Sequence, residues 1–317
     1  MEPIIVADVG GTNGRFAVAG FENGEITLRN DRVYSNTGIG NFAELLSLYL
    51  DDVGNDAPTR ACFATAGPNN GRRGIITNLD WSLDAEELEQ QFGLDDVLFV
   101  NDFKALARMA VELGAADYQL LNGVADRPAG PASVIGPGTG LGVALVLREH
   151  NGVYAVATEG GHMTFAPQTE QHLALRDYLA RDHHHVHCEL MLSGDGLVRL
   201  SQFLAAEGGR RKPGLSAAEI TAAALAGDAE AVATVELFLS LLGSVAGDVA
   251  LTHGAVGGVY LGGGIVRRVL PLVESSGLCE RFIDKGIMAD YLRHIPIKLI
   301  TADRVARRGA ALLYCEN

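Results

Sequence analysis

The most constraining stretch of the sequence is Ile4-Ile5-Val6-Ala7-Asp8-Val9-Gly10-Gly11-Thr12-Asn13-Gly14-Arg15, followed at once by Phe16-Ala17-Val18. A short run of Ile and Val reads as a buried strand, and glycines with Asn mark a tight turn. A Walker loop or a dinucleotide fingerprint opens a helix whose N-terminal amides hold phosphate; here the turn opens a second strand instead. Such a hairpin can point its loop amides inward to cradle phosphate oxygens, with the Thr12 hydroxyl as a further donor. Asp8, at the mouth of the loop, would repel an anion unless a hard cation such as Mg²⁺ lies between them. An ordinary Gly-rich hairpin with a capping Asp is the alternative this stretch leaves open.

The arrangement returns at Ser133-Val134-Ile135, where Gly136-Pro137-Gly138-Thr139-Gly140-Leu141-Gly142 leads into Val143-Ala144-Leu145-Val146-Leu147. A repeated strand, Gly-Thr-Gly loop and strand is a fold-level signal, and two such hairpins across a cleft would grip one nucleotide from both sides. In a chain with 39 glycines, chance recurrence of Gly-rich turns is the competing reading. A third such junction, Gly262-Gly263-Gly264, follows the strand 257–261 and precedes a helix predicted over 265–273; it suits close approach of a base or ribose, or else a tight packing corner.

A chain of 317 residues exceeds what one hydrophobic core usually supports, so two lobes are expected. The net charge of -14 argues against nucleic acid or an anionic membrane as the main partner. Cys62, Cys188, Cys279 and Cys315 form no Cys-x-x-Cys pair, which points away from zinc ribbons and disulfide frameworks and toward a reducing cytoplasm. The start Met-Glu-Pro has no signal-peptide pattern. The most apolar region, 237–261, is interrupted by Asp248, His253 and several glycines, so no membrane span is expected.

Strands predicted at 60–66, 75–81 and 97–100 alternate with helices at 42–50, 84–92 and 103–113, which describes an α/β lobe with a mixed sheet. Helices are predicted at 165–181, 196–207, 216–227 and 232–251, with a flexible basic loop over 208–214. Asn101-Asp102 sits where a strand gives way to a helix, a position for an N-cap and equally for a general base facing a cleft. Glu159-Gly160-Gly161-His162 puts a carboxylate and an imidazole on one turn, suited to vicinal hydroxyls, with the glycines giving freedom to aim both; a solvated turn is the alternative. Glu189 is a further possible acceptor. The run His183-His184-His185-Val186-His187 reads as an exposed helix end rather than a metal site, since contiguous histidines diverge.

Taken together, Asp8-Val9-Gly10-Gly11-Thr12-Asn13, Ile76-Thr77-Asn78 with Trp81, Asn101-Asp102, Gly138-Thr139-Gly140-Leu141-Gly142, Glu159-Gly160-Gly161-His162 with Phe165-Ala166-Pro167, Leu192-Ser193-Gly194 and Gly262-Gly263-Gly264-Ile265-Val266 resemble bacterial glucokinases in order and spacing. The resemblance implies an α/β, two-lobed actin-like or hexokinase-type ATPase fold with a central cleft. The lobes would be 1–112, with the C-terminal helix 303–317 packing back on it, and 113–302. It implies phosphorylation of glucose at the 6-hydroxyl, with ATP and Mg²⁺ as cofactors, in a cytoplasmic homodimer without nucleic-acid or membrane partners. By resemblance Asp102 is the catalytic base, and Asn78, Asn101, Asp102, Glu159, His162 and Glu189 contact the sugar. Ala7, Asp8, Val9, Gly10, Gly11, Thr12, Asn13, Gly138, Thr139 and Gly140 form the phosphate loops, with Asp8 near Mg²⁺ through water. Gly262, Gly263 and Gly264 lie on the adenosine side. A kinase for another hexose or an amino sugar is the alternative, and behind it a non-catalytic sugar sensor. A transcriptional regulator is disfavoured, because the zinc-binding cysteines of the related repressor and sugar-kinase family and an N-terminal helix-turn-helix are missing. Two departures stand out. Gly14 replaces the usual Ala, a change expected to matter little, and Arg307-Arg308 make the last helix unusually basic.

Overall fold

The computed structural model describes residues 2–22, 25–124, 130–209 and 214–317, so residues 210–213 of the predicted basic loop lie outside the described residues. The chain divides into two compact units, Met1–Leu113 with Ala302–Asn317, and Gly114–Thr301.

In the first unit, β1 (Ile4–Val9), β2 (Asn13–Glu22) and β3 (Glu25–Ser35) form an antiparallel meander. Helix α1 (Phe42–Val53) leads to β4 (Arg60–Thr65), which pairs parallel to β1. A separate hairpin of β5 (Arg73–Ile76) and β6 (Trp81–Asp84) precedes α2 (Ala85–Phe92), β7 (Asp96–Asn101) and α3 (Asp102–Ala110). The main sheet runs β3-β2-β1-β4-β7. Phe42, Leu45, Leu46 and Tyr49 recur at helical spacing and bury one face of α1 against the sheet, where Phe16 stacks on Tyr49 at 5.0 Å and Phe42 meets Phe63 edge-on at 5.1 Å.

The second unit repeats this plan. β9 (Ala132–Pro137), β10 (Leu141–Glu149) and β11 (Gly152–Thr158) form the meander, and β12 (Gly258–Leu261) and β13 (Ile297–Ile300) extend it in parallel, with β8 (Tyr118–Asn122) as an added antiparallel edge. Helices α4 (Glu170–Leu179), α5 (Gly194–Glu207), α6 (Ala217–Leu225) and α7 (Ala229–His253) lie between β11 and β12 in sequence.

Several expectations change. Residues 75–81 are not one strand: the Leu79 amide donates to the Ile76 carbonyl at 3.0 Å and Asp80 takes φ 53°, so the chain reverses between β5 and β6. Asp tolerates that left-handed conformation at low cost. The helix predicted from 165 starts at Glu170, because Pro167 holds the chain extended and Thr169 caps the helix by accepting the His172 amide. The helix predicted over 265–273 stops at Arg268, and Pro271 lies in a 3₁₀ turn beyond it. Helix α7 is long and apolar enough to cross a bilayer by length and composition, yet 72% of its most apolar stretch is buried inside the protein. It is a core helix. A Cβ at Gly243 or Gly247 would fall 2.1 Å from the Leu278 carbonyl or 2.6 Å from that of Phe282, so helix Leu278–Ile283 presses directly on its backbone.

Both departures noted in the sequence have structural consequences. A Cβ at position 14 would lie 2.6 Å from Leu45 Cδ2 and 3.1 Å from the Phe16 ring, so Leu45 fills the space an alanine would take. Arg307 is buried and donates to the Phe16 carbonyl at 3.1 Å and to Asp31 at 2.6 Å, which anchors the C-terminal helix Val305–Cys315 to the first sheet. Gly309 lets that helix reach α3, since a Cβ there would lie 1.8 Å from the Ala105 carbonyl.

His172 is 2% exposed beside Phe165, and burial, reinforced by the positive charges of Arg281 and Lys285, pushes its imidazole down to about 4. An unfolded chain then binds the proton more tightly than the folded one, so stability is full above about pH 6.5 and falls as the pH drops toward the folded value. The shift corresponds to about 3 kcal/mol. Burial lowers His187 and His253 in the same direction. The urea midpoint is therefore expected to fall between pH 7 and pH 5, and His172→Leu should flatten that slope; equal slopes in the two proteins would contradict it.

Candidate functional site

In the first unit the parallel strands β1, β4 and β7 end on one edge of the sheet, the carboxyl edge where open α/β sheets bind ligands. Three segments leave it: Gly10 to Asn13, residues 66–71, and Asn101-Asp102. The first loop closes through the Gly10 amide, which donates to the Asn13 carbonyl at 3.2 Å. Asp8 sits one turn back, opposite Arg15 in the strand pair, with the guanidinium 3.8 Å away. Burial pushes its carboxyl above the usual range, and the positive charges of Arg15 and Arg307 offset part of that push. A partly desolvated carboxylate beside an amide-rich loop fits a divalent cation, whose charge would offset the same desolvation. Asn78 stands in the β5–β6 turn, its Cβ 3.2 Å from where a side chain on Gly11 would begin, so it borders the loop.

At the end of β7 the capping role belongs to Asn101, whose Oδ1 accepts the Lys104 amide at 3.0 Å. Asp102 is the first residue of α3, and its Oδ1 accepts the Phe103 amide at 2.9 Å, which fixes the carboxylate's orientation. Asn69, oriented so that both ends of its amide are paired, donates to the Phe99 carbonyl at 3.1 Å and accepts the Asn101 amide at 3.2 Å. This brace was missed in the sequence, where Asn69 read only as a loop residue.

In the second unit β9 and β12 run parallel, so Gly138-Thr139-Gly140 and Gly262-Gly263-Gly264 leave neighbouring strand ends. Gly263 has φ 89°, and a Cβ there would meet the Pro137 carbonyl at 2.3 Å, so glycine is required on both counts. The Gly138 carbonyl accepts the Gly194 amide at 2.9 Å, which ties the loop to the start of α5. Glu189 accepts the Leu141 amide at 2.7 Å, and its carboxylate would lie 2.4 Å from a Cβ on Gly140. The residue predicted to touch the sugar thus also ties the end of the loop predicted to hold phosphate.

Glu159 and His162 flank a short 3₁₀ turn and are both exposed. The glycines between them serve close packing rather than conformational freedom. Neither has positive φ, and a Cβ on Gly160 or Gly161 would fall 2.8 Å from Val143 or 2.2 Å from the Leu141 carbonyl. The histidine run is not simply an exposed helix end. Thr164 and His187 form a β-bridge, the His187 ring lies 4.8 Å from that of His162, and His185 hydrogen-bonds Thr164 at 3.0 Å. Burial and the neighbouring His162 lower the His187 imidazole, so it packs neutral behind the predicted sugar contact. No cluster suited to a metal ion occurs among the His, Cys, Asp and Glu side chains of the described residues.

Two sheets that share one strand order, the second with β8 added at its edge, each opening with a glycine-turn hairpin and carrying loops on its carboxyl edge, define an actin-like ATPase fold. The glucokinase family profile matches residues 5–317. A glucokinase from Saccharophagus degradans is 37% identical over 313 residues, 98% of each chain. The crystal structure of a glucokinase from an Antarctic psychrotroph covers 100% of both chains with TM-score 0.86 and 34% identity. A ROK family glucokinase from Streptomyces griseus, solved in complex with glucose and AMPPNP, shares the fold with TM-score 0.71 over 100% of both chains at 21% identity. The chain belongs to the glucokinase family, whose reaction is the ATP-dependent phosphorylation of glucose.

Should Glu189 also contact the sugar, as the sequence implies, its two engagements have a kinetic signature. Glu189→Ala should raise the KM for glucose and for ATP together, by the roughly tenfold or more that about 1.5 to 3 kcal/mol of a charged hydrogen bond represents. Glu159→Ala should raise the glucose KM alone. Steady-state kinetics with each substrate varied in turn decides it, and an unchanged ATP KM in Glu189→Ala would contradict it.

Proposed function

We propose that the two units divide the glucokinase reaction, the first supplying the base and one phosphate loop, the second the remaining sugar contacts and the other loop. Asp102 accepts the proton of the sugar's 6-hydroxyl as that oxygen attacks the γ-phosphoryl group in line. Asn78 and Asn101 from the first unit and Glu159, His162 and Glu189 from the second hold the remaining hydroxyls. With its Oδ1 spent on the cap, Asn101 has its amide nitrogen to offer. The amides of Gly11, Thr12 and Asn13 in one loop and of Thr139 and Gly140 in the other take the phosphates, and Gly262, Gly263 and Gly264 border the adenosine. Mg²⁺, held by Asp8 through water, would supply charge neutralisation on the phosphate oxygens. Glucose rather than another hexose is favoured by family membership and by the glucose bound in the Streptomyces griseus relative of like fold. Four free cysteines support a reducing cytoplasm.

The observation that carries the role of Asp102 is the separation of two jobs at the end of β7. Asn101 caps α3, and the one first-turn amide that Asp102 takes, that of Phe103, is kept by the amide oxygen of Asp102→Asn. Asp102→Asn should therefore fold, keep its melting temperature within a few degrees and still bind glucose by calorimetry. Its kcat should fall by roughly 10² to 10⁴, the usual contribution of a positioned general base. A variant that keeps more than about a tenth of wild-type turnover would exclude Asp102 as the base, given that range.

A further inference from the structure

Asn36 lies outside every motif, between β3 and α1, and is 5% exposed. Its side-chain nitrogen donates to the Gly10 carbonyl at 2.8 Å, and its backbone amide donates to the Thr12 carbonyl at 2.9 Å. Both carbonyls of the first glycine loop are therefore drawn to one side. In a trans peptide the carbonyl of one residue and the N–H of the next point in opposite directions. Tethering Gly10 O and Thr12 O to Asn36 turns the amides of Gly11 and Asn13 the other way, away from Asn36. The Gly10 amide is already engaged with Asn13 O, so these two join the Thr12 amide as the loop's candidate donors. The position of Asn36 is set in turn by the last pair of the meander, Asn13 with Ser35, and by the Ile39 amide, which donates to the Asn36 carbonyl at 3.2 Å.

We propose that Asn36 is a positioning residue for phosphoryl transfer: it touches no substrate, and it aims the Gly11 and Asn13 amides at the nucleotide's phosphates. The assignment rests on the reading of residues Gly10 to Asn13 as a phosphate loop. Asparagine is required as a donor and not as a filler of space, which separates two substitutions of different kind. Asn36→Ala removes the side-chain donor and leaves the Gly10 carbonyl free to turn inward. Asn36→Asp keeps the shape but sets an acceptor against that carbonyl.

The test measures kcat and both KM values for the full-length enzyme and for Asn36→Ala, Asn36→Asp and Thr12→Ala, with melting temperatures alongside. Asn36→Ala should lower kcat/KM for ATP by about three- to tenfold, the worth of one neutral hydrogen bond, with the glucose KM unchanged. Asn36→Asp should lose more than Asn36→Ala despite its closer shape. A packing role predicts the reverse order, with Asp milder than Ala, and that order would overturn the proposal. So would equal losses for both substrates. If Thr12→Ala weakens ATP use while both Asn36 variants leave it intact, the positioning role fails and the phosphate-loop reading stands; if all three leave it intact, the loop reading fails and takes the proposal with it. Should Asn36→Asp not fold, Asn36→Ala still decides through the ATP-against-glucose split.

Discussion

A short loop that offers N–H groups to an anion must dispose of the carbonyls carried by the same peptides, because every residue brings one donor and one acceptor. The chemistry of both units depends on how that constraint is met. In the first unit one asparagine takes the Gly10 and Thr12 carbonyls. In the second the Gly140 carbonyl turns back to the Gly138 amide, the Gly138 carbonyl goes to the Gly194 amide, and Glu189 takes the Leu141 amide. Like sheets thus carry like loops by unlike tethers. The first is one residue, its side chain and backbone amide together, from a strand-to-helix connection, and the second is the start of a helix. Repetition of supersecondary structure fixes where the loops leave the sheet, and local hydrogen bonds fix which way their amides face.

The carboxylate proposed as the base, that of Asp102, needs a different kind of constraint, since a general base must be held and not merely placed. The end of β7 provides one support through Asn69 and the Asn101 cap. The other is behind α3. There Gly309 brings the C-terminal helix against the Ala105 carbonyl, Arg108 pairs with Glu112 at 2.8 Å and Glu316 at 2.7 Å, and Tyr314 donates to Asp96 at 2.6 Å. Arg108 is nearly buried, so its ion pairs cost desolvation as well as gaining attraction.

The parts of this arrangement that follow from local pattern were legible in the sequence. Buried runs of Ile and Val announced β1 and β9, and the order of glycine turns announced the repeat. The edge strand β3 was not anticipated, because Glu25–Ser35 interleaves charged residues and buries none of its side chains fully. Its inward face is only half-buried, with Ile26 and Leu28 against one core and Tyr34 against another, and so short a hydrophobic period is hard to read. Asn36 was equally hidden: its partners are carbonyls 24 and 26 residues away, and nothing in its neighbourhood marks it. The purpose of Gly160 and Gly161 was misread for a similar reason, since the obstacle that demands them lies on β10. Motif reading finds residues that contact ligands, while the residues that orient them act through backbone atoms of any type and carry no signature.

Glu189 shows what such economy does to function. One carboxylate oxygen holds the Leu141 amide at the end of the second phosphate loop, and the same group is a proposed partner for a sugar hydroxyl. Its backbone carbonyl accepts the Ser193 hydroxyl, and Ser193 caps α5 beside the Gly194 amide that holds the loop's other carbonyl. On the proposed reading, a sugar that ordered this carboxylate would order both ends of the loop without touching it. Because coupling between two ligands is reciprocal, a nucleotide that ordered this loop would then raise the affinity for the sugar by the same factor.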